Sequence, residues 1–255
     1  MRSILVAAVA AGALVATPAL ANDDSSISVT TGVDFSSGDY GAAENTDILV
    51  VPFSVRYKTG NLRLSATLPW LRIDGSSGVL GGSTGPDPLN PNAPRTTRDG
   101  LGDLSLGVAY MIPEETLGFG LDLSARVKLP TASESKNLGT GKTDFSLGAE
   151  VSKTFGAITP FASVGYRIPG DPTGTNLNNA WNASAGASVA VGKTILIASY
   201  DYRESTSALS DDSHEVFGAV SVPLNEQLNF TLYGTGGLSD GAPDYGVGGM
   251  VTFKF

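Results

Sequence analysis

Hydrophobic and polar residues alternate along most of this chain, and the alternation predicts β-strands with one apolar face. In residues 245–255, for example, every second residue from Tyr245 is Tyr, Val, Gly, Val, Phe and Phe, whereas the residues between them are small or polar. About twelve such segments follow one another from Ser26 onward. They run approximately over residues 26–35, 46–58, 61–73, 100–112, 118–129, 143–155, 158–168, 179–191, 194–203, 213–224, 227–238 and 245–255.

The connections between these segments alternate in length. After the odd-numbered segments they are long: SSGDYGAAEN, residues 74–99, TASESKNLGTGK, PGDPTGTNLN, ESTSALSDDS and SDGAPD. After the even-numbered segments they are short: the turn at Gly60, then PEETL, GA, GK and NE. An even number of strands joined in this way predicts an antiparallel meander β-barrel that crosses a membrane, with short periplasmic turns, long outer loops and both termini on the periplasmic side. A soluble β-sandwich, the alternative that the strand faces alone leave open, has no reason to show this alternation.

Two further features favour the transmembrane barrel over the soluble sandwich. The predicted interior face is crowded with Gly, Ser and Ala, which suits a narrow lumen in which side chains from opposite walls meet. Aromatic residues lie at the ends of the segments, where they would form two interfacial girdles. These residues are Tyr57, Trp70, Tyr110, Phe119, Phe155, Tyr166, Trp181, Tyr200, Tyr202, Tyr245 and Phe255.

The start of the chain has the pattern of a secretory signal peptide. Arg2 precedes an apolar run over residues 4–15, and Ala19, Leu20 and Ala21 form a small-x-small cleavage site. The run is too short for a membrane-spanning helix, which needs about 20 apolar residues. We therefore expect residues 1–21 to be removed and residues 22–255 to form a single barrel domain.

Composition excludes several classes of function. The chain of 255 residues has no Cys, so disulfides, thiolate metal sites and cysteine nucleophiles are all absent. Its formal net charge of −9 and the lack of a basic stripe argue against a nucleic-acid partner. No feature of the sequence calls for a cofactor.

Charged residues on the predicted interior face are the candidates for selecting a solute. The alternation places Asp34, Arg56, Lys58, Arg63, Asp103, Asp122, Arg126, Lys128, Glu150, Asp201, Arg203, Glu215 and Lys254 in the lumen. One hypothesis puts Arg56, Arg63, Arg126 and Arg203 on one side of a polar conduit and Asp103, Asp122, Glu150 and Asp201 on the other, where they would screen solutes by charge and size.

The alternative is that these charges form salt bridges that plug a closed barrel, because nothing in the sequence fixes the pore radius. Basic and acidic residues are nearly balanced on the predicted interior face. This balance favours a channel for neutral or weakly charged solutes over an anion-selective sugar-acid channel.

The only histidine raises the question of a surface hydrolase. His214 lies in the sequence Asp-Asp-Ser-His-Glu at an outer strand end, next to Ser213 and near Asp212 and Glu215. Neighbouring residues on one strand point to opposite faces, so Ser213 and His214 cannot easily meet. We expect no catalytic residues and a barrel that is not an enzyme.

The outer loops contain two further features. They are acidic, which is typical of a solvated surface and leaves open divalent cations held beside lipopolysaccharide phosphates, although the spacing matches no EF-hand-type loop. Residues 74–99 form one long insertion rich in Gly and Pro, for which the sequence leaves open a disordered surface loop, a lid or an inward constriction over the pore.

Several stretches in order resemble one outer-membrane family. They are residues 100–110 (GLGDLSLGVAY), Leu129-Pro130-Thr131, residues 139–148 (GTGKTDFSLG), residues 237–246 (GLSDGAPDYG) and Leu68-Pro69-Trp70. This order is similar to that of the family named "MetA-pathway of phenol degradation", also called simply transporters. Thr131-Ala132-Ser133 departs from the family, which commonly has Gly after Pro-Thr.

The resemblance implies a small barrel in the bacterial outer membrane for uptake of small organic molecules, aromatic compounds among them. It supplies no functional residues. The terminal Phe255 also resembles the assembly signal of such barrels, so the expected partners are outer-membrane lipid and lipopolysaccharide, the barrel-assembly machinery through Phe255, and a small-molecule solute, with no nucleic acid.

Overall fold

A computed structural model describes residues 25–40, 44–80, 87–172 and 174–255, with the side chains of residues 80 and 87–92 left out. The predicted signal peptide lies outside these residues. The described residues form a short α-helix, α1 (Glu114–Leu117), a 3₁₀ turn at Glu134–Lys136, and thirteen strands. The strands are β1 (Ser25–Gly38), β2 (Thr46–Thr59), β3 (Leu62–Leu80), β4 (Asp87–Leu101), β5 (Leu104–Ile112), β6 (Gly120–Leu129), β7 (Asp144–Ser152), β8 (Ile158–Ile168), β9 (Ala180–Val191), β10 (Thr194–Arg203), β11 (Ser213–Pro223), β12 (Leu228–Gly237) and β13 (Tyr245–Lys254).

Twelve of these strands close into an antiparallel barrel. Each of them pairs with its neighbour in sequence, except that β3 pairs with β5 across the intervening β4. The barrel closes where β1 pairs with β13, from Ser28 opposite Lys254 to Ser37 opposite Tyr245. The predicted twelve-stranded meander barrel is therefore confirmed, and each predicted segment corresponds to one strand of the wall.

The connections divide the barrel into a short-turn end and a long-loop end, as predicted. At the short-turn end β2 joins β3 through Gly60, and β9 joins β10 through Gly192 and Lys193. Both glycines adopt a positive φ, 52° at Gly60 and 62° at Gly192, which side chains with a Cβ disfavour. These tight turns fix the register of the strand pairs that they connect.

The described part of the insertion at residues 74–99 is largely β-structure, so it is not the disordered loop that was one of the three forms left open by its sequence. The upper part of β3 pairs with β4 from Trp70 opposite Leu101 to Leu80 opposite Asp87, with register shifts between Ser76 and Val79. Only the lower part of β3, Leu62 to Thr67, pairs with β5. The hairpin of β3 and β4 bends over the long-loop end of the barrel, because Val79 near its tip is buried in one cluster with Leu71 and with Leu138 from the loop between β6 and β7. The Gly and Pro residues of the insertion interrupt the alternation of apolar and polar residues, so the alternation did not predict this pairing.

The outer surface of the barrel is apolar. Large hydrophobic side chains at alternate positions are exposed on every wall strand, among them Phe53, Leu64, Leu147, Val164 and Leu232. Many aromatic residues at strand ends are also exposed, including Tyr110 and Phe155 near short turns and Trp181 and Tyr245 near long loops. A surface of this kind matches the lipid-facing belt and interfacial girdles of a transmembrane barrel. No helix in the described part of the chain has the length and apolarity needed to span a membrane.

We expect Leu147→Arg to lower the free energy of unfolding of the barrel in lipid by about 2–4 kcal/mol, because it places a charge on the lipid-facing surface near the middle of β7. The Leu147 side chain is 61% exposed in the isolated barrel. Urea titration of the protein folded into vesicles measures the effect. Leu209→Arg is the matched control, since Leu209 is 60% exposed but lies in the loop between β10 and β11. Equal losses for both variants would contradict a lipid-facing β7.

Two apolar clusters occupy parts of the interior. The alternation had predicted a narrow lumen lined by small and charged side chains. The first fills the short-turn half beside β8 to β13 and contains Phe161, Ile195, Ile197, Ala219, Tyr233 and Met250. The second lies at the long-loop end against β2 and β3 and contains Tyr40, Ile48, Leu71, Ile73, Val79, Ala132 and Leu138. The space that these clusters do not fill lies along the wall from β2 to β10.

Candidate functional site

The candidate site is an internal cavity of about 240 Å³ along the wall from β2 to β10. It reaches from Asp122 near the short-turn end of β6 to Asp211 in the loop between β10 and β11. Seven of the eight residues predicted to screen solutes line this cavity: Arg56, Arg63, Asp122, Arg126, Glu150, Asp201 and Arg203. The eighth, Asp103, lies in a separate buried cluster.

A basic row crosses the cavity wall. Following residues that face one another in the strand register, Arg56 lies opposite Ser65, Ser65 opposite Gly107, and Gly107 opposite Arg126. The row continues from Arg126 to Ser146 and from Ser146 to Arg167. The strand register therefore places three arginines in one row, with only small residues between them.

An acidic row lies closer to the short-turn end. In the strand register Asp122 faces Glu150, and Ser163 and Ser184 connect Glu150 to Asp201. On β6 and β7 this row lies four residues from the basic row, which corresponds to about 13 Å along a strand. Between the two rows runs a band of mostly small residues, Ala109, Ser124, Gly148, Gly165 and Asn182, with Arg63 and Arg203 at its two ends. Charge is thus separated along the cavity, although not on the two sides that the sequence hypothesis proposed.

The carboxylates of the acidic row have partners within the barrel wall. Asp122 forms an ion pair with Arg63. Asp201 accepts hydrogen bonds from Ser184, at 2.5 Å, and from Ser199, at 2.9 Å. These bonds stabilise the carboxylate charges in a partly enclosed lumen.

Two arginines of the basic row, Arg56 and Arg126, differ from Arg167 in the same row and from Arg63 in the band beside it. Arg63 is bound by Asp122 and Arg167 by Asp144. Among the residues that the structure describes, no hydrogen bond or ion pair engages the guanidinium of Arg126 or Arg56. Both side chains line the cavity, so their donors face its interior.

A buried ionic cluster lies between the cavity and the long-loop end of the barrel. The ammonium of Lys128 lies 3.1 Å from Asp103 and 3.2 Å from Asp144, and Asp144 also accepts a hydrogen bond from Arg167 at 2.7 Å. All four side chains are at most 8% exposed. Alternation placed Asp103 and Lys128 in the lumen, whereas Asp144 and Arg167 were missed. Both lie within the predicted segments 143–155 and 158–168, and following the alternation to the ends of these segments would have found them.

This cluster holds the loop between β6 and β7 inside the barrel mouth. The amide of Ala132 donates to Asp103 at 2.9 Å, and Lys128 donates to the hydroxyl of Thr140 at 3.1 Å. Leu138 from the same loop packs in the apolar cluster beside β2 and β3. The loop thereby narrows the long-loop end of the lumen from one side.

The hairpin of β3 and β4 contacts this inward loop. The guanidinium of Arg98 donates to the carbonyl of Asn137 at 3.2 Å and to the carbonyl of Ser76 at 3.1 Å. Burial lowers the pKa of Arg98 from its usual value, and burial raises the pKa of Tyr40, which packs in the same apolar cluster. The raised pKa keeps the hydroxyl of Tyr40 protonated at neutral pH.

His214 and Ser213 lie on opposite faces of β11. Ser213 is buried and donates to Glu215 at 2.8 Å inside the barrel. On the outer face, Nδ1 of His214 lies 2.5 Å from the hydroxyl of Tyr200, and the hydroxyl of Tyr202 donates to Asp212 at 2.8 Å. The geometry provides no Ser–His pair at this position. In the described ranges, no three His, Asp or Glu side chains cluster so as to hold a metal ion.

Comparison with known proteins identifies one family and several solved structures with a similar barrel fold. The family model described as "Putative MetA-pathway of phenol degradation" matches residues 23–255. The chain is similar in structure to the COG4313 outer membrane channel from Pseudomonas putida F1, with a TM-score of 0.70 and 14% identity over 92% of this chain and 97% of that one. It is also similar to the translocator domain of the autotransporter NalP from Neisseria meningitidis, with a TM-score of 0.52 and 12% identity over 92% of this chain and 89% of that one. No curated protein matches the sequence.

Proposed function

The chain belongs to the family of the MetA pathway of phenol degradation, and on this premise we propose that it is a bacterial outer-membrane channel through which small organic solutes, aromatic compounds included, cross passively. The single observation that carries the proposal is the internal cavity of about 240 Å³, which lies inside a closed barrel with an apolar outer surface. The shared fold with a channel from Pseudomonas putida F1 supports the same reading of the architecture.

The chemistry of the cavity wall supports passage of a solute. Charged and hydroxyl side chains line a path between two apolar clusters, so a molecule with an apolar body and a polar group finds matching surfaces. A conduit of this size admits one small molecule at a time. Passive transport requires binding that is favourable enough for entry and weak enough for release.

A closed structural barrel is the second candidate, and one observation favours it. The apolar clusters and the inward loop between β6 and β7 occupy part of the lumen, so the conduit depends on the space that they leave. Such a barrel would present its loops and its lipid-facing surface without letting solutes cross.

Conductance distinguishes the two candidates. We expect the mature protein, refolded and inserted into a planar bilayer, to give small and uniform current steps, and vesicles that contain it to admit aromatic solutes such as phenol. Heat-modifiable migration on SDS gels shows beforehand that the barrel is folded. A silent bilayer and solute-tight vesicles with folded protein would support the closed barrel instead.

The remaining partners follow from the same proposal. The apolar belt faces outer-membrane lipid, the long loops face lipopolysaccharide at the cell surface, and the terminal Phe255, 70% exposed, is presented for the barrel-assembly machinery. Fractionation of membranes from the source cell, with detection of the protein in the outer membrane, tests this location.

A further inference from the structure

We propose that Arg126 is the recognition site for a carboxylate group on the solute, so that the lumen selects small organic monoanions. This inference rests on the proposed channel function and specifies its substrate class. The observation behind it is a guanidinium that lines the cavity without an acidic partner in the described residues.

The surroundings of Arg126 leave its donors to a ligand. Its neighbours in the strand register are Gly107 on β5 and Ser146 on β7, and neither carries a charge. The nearest carboxylate on its own strand, Asp122, lies four residues away and is bound by Arg63. Asp144, diagonal to Arg126 across the strand pair, is bound by both Lys128 and Arg167.

The basic and acidic side chains of the lumen differ in how available they are to a solute. The near balance of basic and acidic residues favours neutral solutes only if every charge is equally available. In the structure Asp122 is held in an ion pair and Asp201 accepts hydroxyl hydrogen bonds. By contrast, no described residue engages the donors of Arg126, and Arg56 lies in the same row. The potential available to a solute in this row is therefore positive.

A carboxylate matches the geometry of such a donor. The planar guanidinium offers parallel N–H groups that match the two oxygens of a carboxylate, and these charge-assisted hydrogen bonds are stronger than neutral ones. The small side chains beside Arg126 leave space for the body of the solute. In the acidic row, the carboxylate of Asp201 accepts hydrogen bonds from two neutral hydroxyls, which do not offset its charge. This charge would repel a second anionic group on the solute and so favours monoanions over dianions.

The test compares three aromatic probes of similar size in planar bilayers: benzoate, benzyl alcohol and benzylammonium. Benzoate should block the wild-type current more strongly than the other two. We expect Arg126→Gln to weaken the benzoate block by about 10- to 100-fold, the range for loss of a hydrogen bond to a charged group. Arg126→Lys keeps the charge but not the paired donors, so its block should lie between those of the wild type and Arg126→Gln.

Lys153→Gln is the matched control, because it removes one positive charge from an exposed position just after β7 at the short-turn end. It should leave the benzoate block unchanged. If Arg126→Gln conducts and binds benzoate as the wild type does, the inference is overturned while the channel function stands.

Titration calorimetry of benzoate into the folded protein in detergent tests the carboxylate site independently of the channel function. A silent bilayer would overturn the channel function, and calorimetry would still decide on the site. Benzoate binding that is lost in Arg126→Gln supports the carboxylate site, and no binding to the wild type overturns it.

Discussion

Lys128→Met is expected to lower the free energy of unfolding of the barrel by about 3–5 kcal/mol, the range for removal of one partner from a buried ion pair. The ammonium of Lys128 lies between Asp103 and Asp144, and all three side chains are at most 6% exposed. Without it, Asp103 keeps only the amide of Ala132 as a donor and Asp144 keeps Arg167. Urea or heat titration of the folded protein, followed by its migration on SDS gels, measures the loss.

The same variant should also loosen the loop between β6 and β7, because Lys128 donates to Thr140 in that loop. Larger and noisier current steps would be the functional sign. Lys136→Met is the control: Lys136 is exposed in the same loop and donates only to the carbonyl of Asp99. A stability change below about 1 kcal/mol for Lys128→Met, within the range of surface pairs, would show that the cluster is solvated.

Gly148→Phe is expected to abolish resolvable conductance. Gly148 lies on the cavity wall in the band of small residues, and a Cβ there would lie 2.9 Å from the hydroxyl of Ser124. A phenyl ring extends from that point into a cavity of only about 240 Å³, so it occupies much of the space that a solute needs. Single-channel recording and solute flux into vesicles measure the effect.

The control for this substitution is Gly218→Phe on β11. Gly218 is exposed, has no atom within 4 Å of a built Cβ, and lies between Val216 and Val220 on the same lipid-facing side of β11. The added ring therefore enters lipid rather than the lumen, and conductance should stay at the wild-type level. Wild-type current through Gly148→Phe would mean that solutes and ions take a path other than this cavity.

Strand positions and strand faces could be predicted from the sequence because each depends on local alternation. Leu64, Val108 and Leu147 point outward in the structure, as the period of two requires. The long-short alternation of connections predicted the topology for a similar reason, since an antiparallel meander needs only neighbouring strands to pair.

Features that depend on pairing outside that pattern could not be predicted. β4 pairs with the upper part of β3 through a segment containing Pro88, Pro91 and Pro94, which a reading by propensity assigns to a loop. The apolar interior at Phe161 and Ile195 was also missed, because a polar lumen was assumed for every inward position.

The sequence predicted which residues line the candidate site but not which of them form ion pairs. Alternation alone placed Arg126 and Asp122 in the lumen, and both line the cavity. Which carboxylate meets which arginine depends on the register between strands far apart in sequence, such as Arg63 on β3 with Asp122 on β6. The availability of Arg126 follows from that register and is therefore visible only in three dimensions.

The open edge of β4 bears on how these barrels behave when crowded together. Within the described residues β4 pairs with β3 alone, so its other edge has unpaired backbone groups that can serve as a template for a strand from a neighbouring molecule. Pro88, Pro91 and Pro94 remove three amide donors from this strand, and proline in an edge strand opposes the addition of another strand. Addition of a strand from a neighbouring barrel to β4 is thus disfavoured, which limits intermolecular sheet formation when the barrels are crowded.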